Sequence, residues 1–278
     1  MMDSNLFISS KRQKIFVVAL HIKDSFRSEE LKLGLEGIQE EVIFFEGLDA
    51  RRHQIPSTWQ SNHLAKFLYG RNLTPGEIAC TFGHSEIVKS MVSRVFDWVL
   101  ILEDNVKFNG IESIISFLKC FESNSASLIN FFSDPEYDLI SSSNDFNDFT
   151  IQKTRTIPIR AKCYALNKDA VQKIGTGYAK YGFSGFQADF PIFYLLSTKF
   201  YILKNSPILI EKSISLIGNR KNLEINNALG KIWNGFIFLL FSNDMQFSSR
   251  FKILILGFKM KFYRKFFLNI GKTERKDE

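Results

Sequence analysis

The sequence predicts an α/β fold with a mainly parallel central sheet. Short apolar runs rich in β-branched residues, the pattern of buried strands, alternate along the chain with segments of helical character. Strands that alternate with helices in this way are typical of a sheet whose parallel strands are joined by crossover helices. The clearest strand candidates are KIFVVAL (residues 14–20), EVIFFEGLDA (41–50), which enters a polar loop, and WVLIL (98–102).

Helices are predicted between these strands. The segment FRSEELKLGLEGI is charged and rich in helix-favouring residues. The segment LTPGEIACTFGHSEIVKSMV contains a clear helix start. Thr74 can cap the helix, Pro75 suits the first helical position, and Glu77 completes a capping box.

The same alternation continues after residue 110. Beyond about residue 221 the pattern becomes helical and basic, so we expect an α/β domain at 1–220 and a helical basic C-terminal extension at 221–278. The further elements are a helix IESIISFLKCF, a strand SLINFF, a polar loop at 134–150, a strand IRAKCYALN, a helix from Lys168, a helix FQADFPIFYLL and a strand KFYILKNSPILIE.

Composition indicates a cytoplasmic protein with anionic partners. The 278-residue chain carries a net charge of +7, which favours nucleotides, phosphorylated lipids, membrane surfaces or nucleic acid without choosing among them. Three widely spaced cysteines without a CxxC pair argue against a disulfide framework and against a zinc site. The apolar run IFVVAL is too short for a signal peptide, and IWNGFIFLLF is shorter than the ~20 residues that span a bilayer.

Three oxygen-bearing side chains follow the third predicted strand at once. Glu103, Asp104 and Asn105 come directly after WVLIL. Ligands of open α/β sheets bind beyond the carboxyl ends of the strands, and Mg²⁺ and Mn²⁺ take carboxylate and amide oxygens. The pattern therefore suggests a cation site, although a polar junction between strand and loop gives the same sequence.

Several segments together resemble glycosyltransferase family 25, the bacterial lipooligosaccharide glycosyltransferases. The resemblance covers roughly residues 14–220 and rests on the joint order and spacing of its pieces. These are IFVVALHIKDSFR, FFEGLDA, LTPGEIACTFGH, LEDN, CYALNKDAV, QADFPIF and SLIGNR. The resemblance implies a GT-A-type fold, a nucleotide-sugar donor, and transfer to a sugar hydroxyl with inversion at the anomeric carbon.

The resemblance also implies roles for the acidic strand end. Asp104 would be the principal ligand of a Mn²⁺ or Mg²⁺ ion, and Asn105 would add an amide oxygen or a water contact. Glu103 would support this site on the side of the donor diphosphate. Asn105 stands where the family pattern has a second Asp, so cation affinity should be lower or activity lost.

Four more residues are assigned by position. Arg27 would lie near the donor nucleotide or its phosphates, with a surface position on the first helix as its alternative. Asp49 could face the nucleotide or be a solvated loop acid. His84 would be an active-site neighbour that supports the acidic loop, although a lone histidine on a helix is often only packed. Asp189 would be the general base, with a helix N-cap as its alternative role.

Two further departures from the family pattern concern the same region. Gly83 replaces the Ser that is usual before the histidine, and Ser28 stands where a second arginine is common. Contacts to the donor phosphates should therefore be fewer.

The basic tail, residues 250–268, interleaves cations with large apolar residues. Between residues 249 and 278 there are nine Lys or Arg and three Asp or Glu. One apolar stripe could pack on the catalytic domain while another meets an anionic membrane, or the helix could only complete the core. Aromatic and basic residues also suit single-stranded nucleic acid, but nothing else in the chain resembles a nucleic-acid module.

The expected function is therefore a metal-assisted hexosyltransferase. It would move galactose from UDP-galactose to a lipid-linked glycan at the inner face of a bacterial membrane. One alternative is a degenerate relative that binds nucleotide sugar or glycan without turnover, which Asn105 favours. Another is a basic membrane-binding or nucleic-acid-binding protein with an unrelated α/β core.

Overall fold

The computed structural model describes most of the chain. The described residues are 6–8, 13–108, 110–132, 144–146, 149–154, 158, 161–188, 191, 194, 198–204, 208–210, 228–241 and 245–259. In chain order the strands are β1 (Leu6–Ile8), β2 (Ile15–His21), β3 (Glu41–Glu46), β4 (Trp98–Glu103), β5 (Val106–Phe108), β6 (Phe121–Ser123), β7 (Ser127–Asn130), β8 (Asn144–Phe146), β9 (Phe149–Thr154), β10 (Cys163–Asn167), β11 (Lys199–Lys204) and β12 (Ile208–Ile210). The helices are α1 (Phe26–Gly34), α2 (Asn62–Tyr69), α3 (Pro75–Met91), α4 (Ile111–Cys120), α5 (Lys168–Tyr181), α6 (Ala228–Phe241) and α7 (247–259), and a short 3₁₀ helix covers Ser57–Trp59.

The central sheet has eight strands in the order β3-β2-β4-β10-β7-β11-β9-β8. Strand β2 pairs in parallel with both β3 and β4, and β7 pairs in parallel with β11. The other four pairings between described strands of this sheet are antiparallel, because β10 runs against both β4 and β7, and β9 runs against β11 and β8. The predicted α/β fold is present, and its sheet is mixed, with a parallel section at β3-β2-β4.

Helices cover both faces of this sheet. Alternate residues of β2 point to opposite sides, as the two-residue period of a strand requires. Phe16 and Val18 join a core cluster with α2, α3, α5, α6 and α7, whereas Ile15 and Val17 join a second cluster with α1 and α4. The apolar run of β2 is therefore buried on both faces, which explains why it reads as continuous rather than alternating.

The start of α3 matches the prediction from sequence. Thr74 accepts a hydrogen bond from the Glu77 backbone N–H at 3.2 Å, and Glu77 Oε2 accepts one from the Thr74 backbone N–H at 2.9 Å. Arg71 holds the Glu77 carboxylate through two nitrogens at 2.6 and 2.7 Å. Because both acceptors of the cap are buried and paired, the first turn of α3 is fixed in position.

Some elements differ from the prediction. Residues 144–146 and 149–150, within the expected polar loop at 134–150, form strand, and the expected strand KFYILKNSPILIE is divided into β11 and β12. Helix α2 was not predicted. The expected helix at FQADFPIFYLL lies largely outside the described residues.

The C-terminal helices pack on α2. Phe238 of α6 and Ile253 of α7 are fully buried and belong to the same core cluster as Phe67 of α2. Gly235 and Gly257 allow the close approach, since a Cβ at either position would lie 2.7 or 2.5 Å from the Phe67 ring. In the described part of the chain no helix has the length and apolarity needed to cross a membrane.

Candidate active site

The acidic strand end and the β2–α1 turn lie at one edge of the sheet. Leu20, near the end of β2, pairs with Glu103, the last residue of β4, and the two strands are parallel. Their carboxyl ends therefore meet, and α1 begins directly after β2 with Ser25 as its cap. This edge is where an open sheet binds ligands.

Asp104 and Arg27 face each other at this edge. Arg27 Nη1 lies 4.0 Å from Asp104 Oδ1, and their side chains are only 6% and 12% exposed. Burial raises the pKa of Asp104, while Arg27 and a hydrogen bond from the Ile22 backbone oppose this shift. Desolvation outweighs the attraction of Arg27, so ionisation of Asp104 costs more free energy in the folded chain than in water.

Two oxygens at this turn have no hydrogen-bond partner among the described residues. They are Asp104 Oδ2 and Asn105 Oδ1, and both are buried. Buried oxygens without partners are uncommon and require an explanation such as a bound ion. A divalent cation such as Mn²⁺ or Mg²⁺ takes carboxylate and amide oxygens, so these two residues fit the cation that the sequence led us to expect.

The side chain of Glu103 contacts residues of α3. Its Oε1 lies 3.2 Å from His84 Nε2 and 3.6 Å from Cys80 Sγ, and His84 Nδ1 lies 2.9 Å from the hydroxyl of Tyr164. His84 thus lies next to the acidic strand end and contacts Glu103, and its role as an active-site neighbour stays a prediction. Among the described residues Glu103 forms a cluster with Cys80 and His84, and its expected roles beside Asp104 and at the donor diphosphate stay predictions.

Asp49 is engaged by arginines of its own loop. It accepts hydrogen bonds from Arg51 Nε at 2.8 Å and Arg51 Nη2 at 2.7 Å, and Arg52 Nε lies 3.6 Å away. The hydrogen bond to Arg51 is the main reason why the pKa of Asp49 falls from 3.8 to about 2. Asp49 therefore positions Arg51, and a contact of Asp49 with the nucleotide stays a prediction.

Arg51 and His21 belong to the site but were not selected from sequence. The hydrogen bond to Asp49 raises the pKa of Arg51, and the charge of Asp104 adds to that shift. His21 hydrogen-bonds through Nδ1 to Ser28 Oγ at 2.9 Å, and its electrostatic influence lowers the pKa of Asp104. No local motif marks either residue, because only the pairing of β2 with β3 and β4 brings them to this edge.

Asp189 and Gly83 are the last two positions with an expectation from the sequence. Asp189 lies outside the described residues, so its role as base or cap stays a prediction. Gly83 packs on β2, where an added Cβ would lie 3.1 Å from Leu20 Cδ1. A serine at Gly83 would therefore require Leu20 to shift.

Comparisons with known proteins found one matching family and similar solved structures. A model of the family described as glycosyltransferase family 25 (LPS biosynthesis protein) matches residues 12–189, more than half of the 278-residue chain. Curated proteins gave no match. One similar solved structure is described as a crystal structure of a glycosyltransferase involved in the glycosylation of the major capsid of PBCV-1. The two chains share 12% identity with a TM-score of 0.30, over 60% of this chain and 68% of that chain.

Proposed function

Since the chain belongs to glycosyltransferase family 25, we propose that it transfers a hexose from a nucleotide sugar to a sugar hydroxyl of a lipopolysaccharide or lipooligosaccharide glycan. Membership of the family makes the chain a glycosyltransferase. The donor UDP-galactose, inversion at the anomeric carbon, the assisting cation and a GT-A-type catalytic domain at 1–220 are parts of the proposal.

The observation that carries the proposal is the buried, unsatisfied turn after β4. Asp104 Oδ2 and Asn105 Oδ1 lack partners in the described part of the chain, and Arg27 lies beside them. Held there, a Mn²⁺ or Mg²⁺ ion would neutralise the charge that develops on the departing nucleoside diphosphate. A site built only for stability would not keep such a carboxylate buried, because desolvation raises its free energy.

The residues around this turn have separate tasks in the proposed reaction. The guanidinium of Arg27 offers fixed donors for phosphate oxygens, and Arg51, held by Asp49, offers a second cation nearby. The acceptor oxygen attacks the anomeric carbon as the bond from that carbon to the diphosphate oxygen breaks. The acceptor proton passes to a base, for which Asp189 remains the candidate. A single displacement of this kind inverts the configuration.

The experiment is a screen of nucleotide sugars with the purified chain, with and without Mn²⁺, read by release of nucleoside diphosphate. We expect release from UDP-galactose that depends on Mn²⁺ and is lost, by at least about 100-fold, in Asp104→Asn. Asp169→Asn is the matched control, because Asp169 is exposed at the start of α5. Thermal stabilisation by UDP without any turnover would instead indicate a degenerate binder, and no response to UDP or metal would overturn the proposal.

An apolar face on α6 and α7 suggests where the acceptor is met. Large side chains at spacings of three or four residues are exposed on both helices, whereas their opposite sides are buried against α2. We define the apolar face by its exposed residues, which are Leu229, Ile232, Trp233, Phe236, Leu240, Phe247, Phe251, Ile255 and Phe258. An exposed apolar surface of this extent marks an interaction site.

Charge indicates what this face contacts. Segments 228–241 and 245–259 contain four cations, Lys231, Arg250, Lys252 and Lys259, and no Asp or Glu. We propose that the apolar face enters the interface of an anionic leaflet, the inner face of the bacterial inner membrane, beside a lipid-linked acceptor. Each Lys or Arg near such a leaflet contributes about 1 kcal/mol, and the exposed aromatic side chains of the apolar face would add to this as they enter the interface.

Vesicle sedimentation tests the membrane contact. We expect binding to vesicles that contain anionic lipid, weaker binding to neutral vesicles, and a blue shift in the fluorescence of Trp233, which is 61% exposed. Phe251→Ser with Ile255→Ser should reduce binding about tenfold or more. Val95→Ser is the matched control, since Val95 is exposed outside the apolar face. Equal binding by the double variant, or self-association in place of vesicle binding, would contradict this assignment.

A further inference from the structure

We propose that Cys80, His84 and Glu103 form a binding site for a zinc-like divalent ion, separate from the turn at Asp104 and Asn105. The spacing of the cysteines alone indicated no zinc site. The proposal stands on the tertiary structure, which joins one face of α3 to the end of β4, and it does not depend on the proposed function.

Helix geometry supplies the first two ligands. Cys80 and His84 are four residues apart on α3, so both side chains lie on one face of the helix. Glu103 reaches the same face from the end of β4. The ligand atoms of the three residues all lie within 4.8 Å of one another.

The distances suit a tetrahedral ion. With zinc–ligand bonds of about 2.0 to 2.3 Å, neighbouring ligand atoms of a tetrahedron are separated by roughly 3.3 to 3.8 Å. Glu103 Oε1 lies 3.2 Å from His84 Nε2 and 3.6 Å from Cys80 Sγ. These two separations suit the ion, and all three ligand atoms lie within 4.8 Å of one another, so rotation of the side chains can admit the ion and leave a fourth position for water.

A neighbouring residue orients the histidine. His84 Nδ1 hydrogen-bonds to the hydroxyl of Tyr164 at 2.9 Å, which leaves Nε2 directed at Glu103. Burial raises the pKa of Tyr164 well above its usual range, so this hydroxyl stays neutral. Ligating histidines in proteins usually carry such a partner on the second ring nitrogen, because it fixes the ring.

The chemistry of the three ligands separates this site from the turn. Thiolate and imidazole favour zinc, whereas Mn²⁺ and Mg²⁺ prefer the all-oxygen set of Asp104 and Asn105. His84 is buried, but Cys80 and Glu103 are partly exposed and give the ion a route from solvent. Binding displaces the thiol proton of Cys80 to solvent, so affinity should rise with pH.

Cobalt(II), which reports thiolate ligation by a sulfur-to-metal charge-transfer band, is the probe. We expect the full-length, metal-free chain to bind one Co²⁺ with this band and to release it to Zn²⁺. In Cys80→Ser the band should disappear and zinc affinity should fall at least about tenfold. The variants Asp104→Asn and Cys120→Ser should keep the charge-transfer band and the zinc affinity of the wild-type chain. A band that persists in Cys80→Ser, or no cobalt binding by the wild-type chain, would overturn the proposal.

A second measurement uses the wild-type chain, so its result does not depend on whether the Cys80→Ser variant folds. Cys80 is partly exposed and should react with a maleimide, which peptide mass spectrometry can follow. Zinc should slow this alkylation at least about tenfold, because the ligated thiolate is occupied, while alkylation of Cys120 should be unchanged. Equal rates of alkylation at Cys80 with and without zinc would contradict the proposed zinc site.

Discussion

The position of Asp104 combines a proposed role in cation binding with a burial that is unfavourable for its charged form. In the proposed function Asp104 binds a cation, yet in the chain without an ion its carboxyl group is desolvated, and this burial raises its pKa. Arg27, at 4.0 Å, offsets only part of that cost. A binding site of this kind lowers the stability of the empty protein and recovers it when the ligand binds.

The first prediction is that Asp104→Asn stabilises the metal-free chain at neutral pH. A carboxyl whose pKa is raised on folding favours the folded state while protonated, and that advantage is lost as the pH rises through the raised pKa. Thermal unfolding should show a gap between variant and wild type that is absent near pH 4 and grows toward pH 7, to about 2 °C. Asp169→Asn should show no such gap, and a variant less stable than wild type at pH 7 would contradict the reasoning.

Asn105 carries a second prediction. Asn105→Asp restores a second charge to the turn, so Mn²⁺ should bind about tenfold more tightly, as about 1.4 kcal/mol of added attraction implies. Titration with Mn²⁺, followed by protein fluorescence, measures the change. Asn124→Asp, on an exposed loop, is the control. Unchanged affinity in Asn105→Asp would place the cation elsewhere.

Asp49 should show the opposite dependence on pH from Asp104. Its folded pKa of about 2 lies below the ordinary 3.8, so its stabilising contribution is present above pH 3.8 and is lost as the pH falls toward 2. Asp49→Asn should therefore be less stable at pH 6, by no more than about 1 kcal/mol because Arg51 is half exposed, and the difference should shrink by pH 2.5. Urea unfolding at both pH values checks this, and a constant difference would refute it.

At the scale of elements, α3 connects the active-site edge with the helical layer. Its first turn is held by Thr74, Glu77 and Arg71. Cys80, one turn after Glu77, and His84, two turns after it, contact Glu103 at the end of β4. Gln187 also donates to Glu77 Oε1 at 3.2 Å. The position of α3 therefore sets the position of Glu103, and the cap at its start contributes to the geometry of the site.

The prediction for this element is a loss of stability in Thr74→Ala. Removal of an N-cap costs about 1 kcal/mol, which should lower the melting temperature by about 2–4 °C. Thermal unfolding provides the measurement. Thr176→Ala is the matched control, because Thr176 is exposed within α5 and caps no helix. Equal melting temperatures for the two variants would show that the capping box contributes nothing to stability.

At the scale of the whole molecule, α6 and α7 are attached through glycine contacts. Gly235 and Gly257 bring both helices against the Phe67 ring, which itself belongs to the core beneath α2. The same attachment leaves the other side of both helices outward, so it creates the apolar face. Docking of the C-terminal helices and the proposed contact with a membrane are therefore linked.

Gly257→Val tests this linkage. The new Cβ would lie 2.5 Å from Phe67 Cε1, so the helix must move or the ring must be displaced, at a cost of about 1–3 kcal/mol. Limited proteolysis should then cut 245–259 faster, and the melting temperature should fall. Ser248→Val, on the exposed side of α7, should change neither. An unaltered cleavage rate in Gly257→Val would show that the glycine contact is not needed.

The sequence alone determined the features that depend on local pattern. The α/β alternation, the capped start of α3 and the oxygen-bearing residues after β4 all follow from periodicity and from neighbours a few residues apart. Asp104 and Asn105 were found in this way, and the structure places their buried oxygens at the expected sheet edge.

Only the tertiary structure decided which distant residues meet. The antiparallel insertion of β10 between β4 and β7 made the sheet mixed and brought Tyr164 to His84. The pairing of β2 with β3 and β4 brought Arg51 and His21 to the acidic turn. Strand order is set by the summed burial of both sheet faces across the whole chain, and no short segment contains that information.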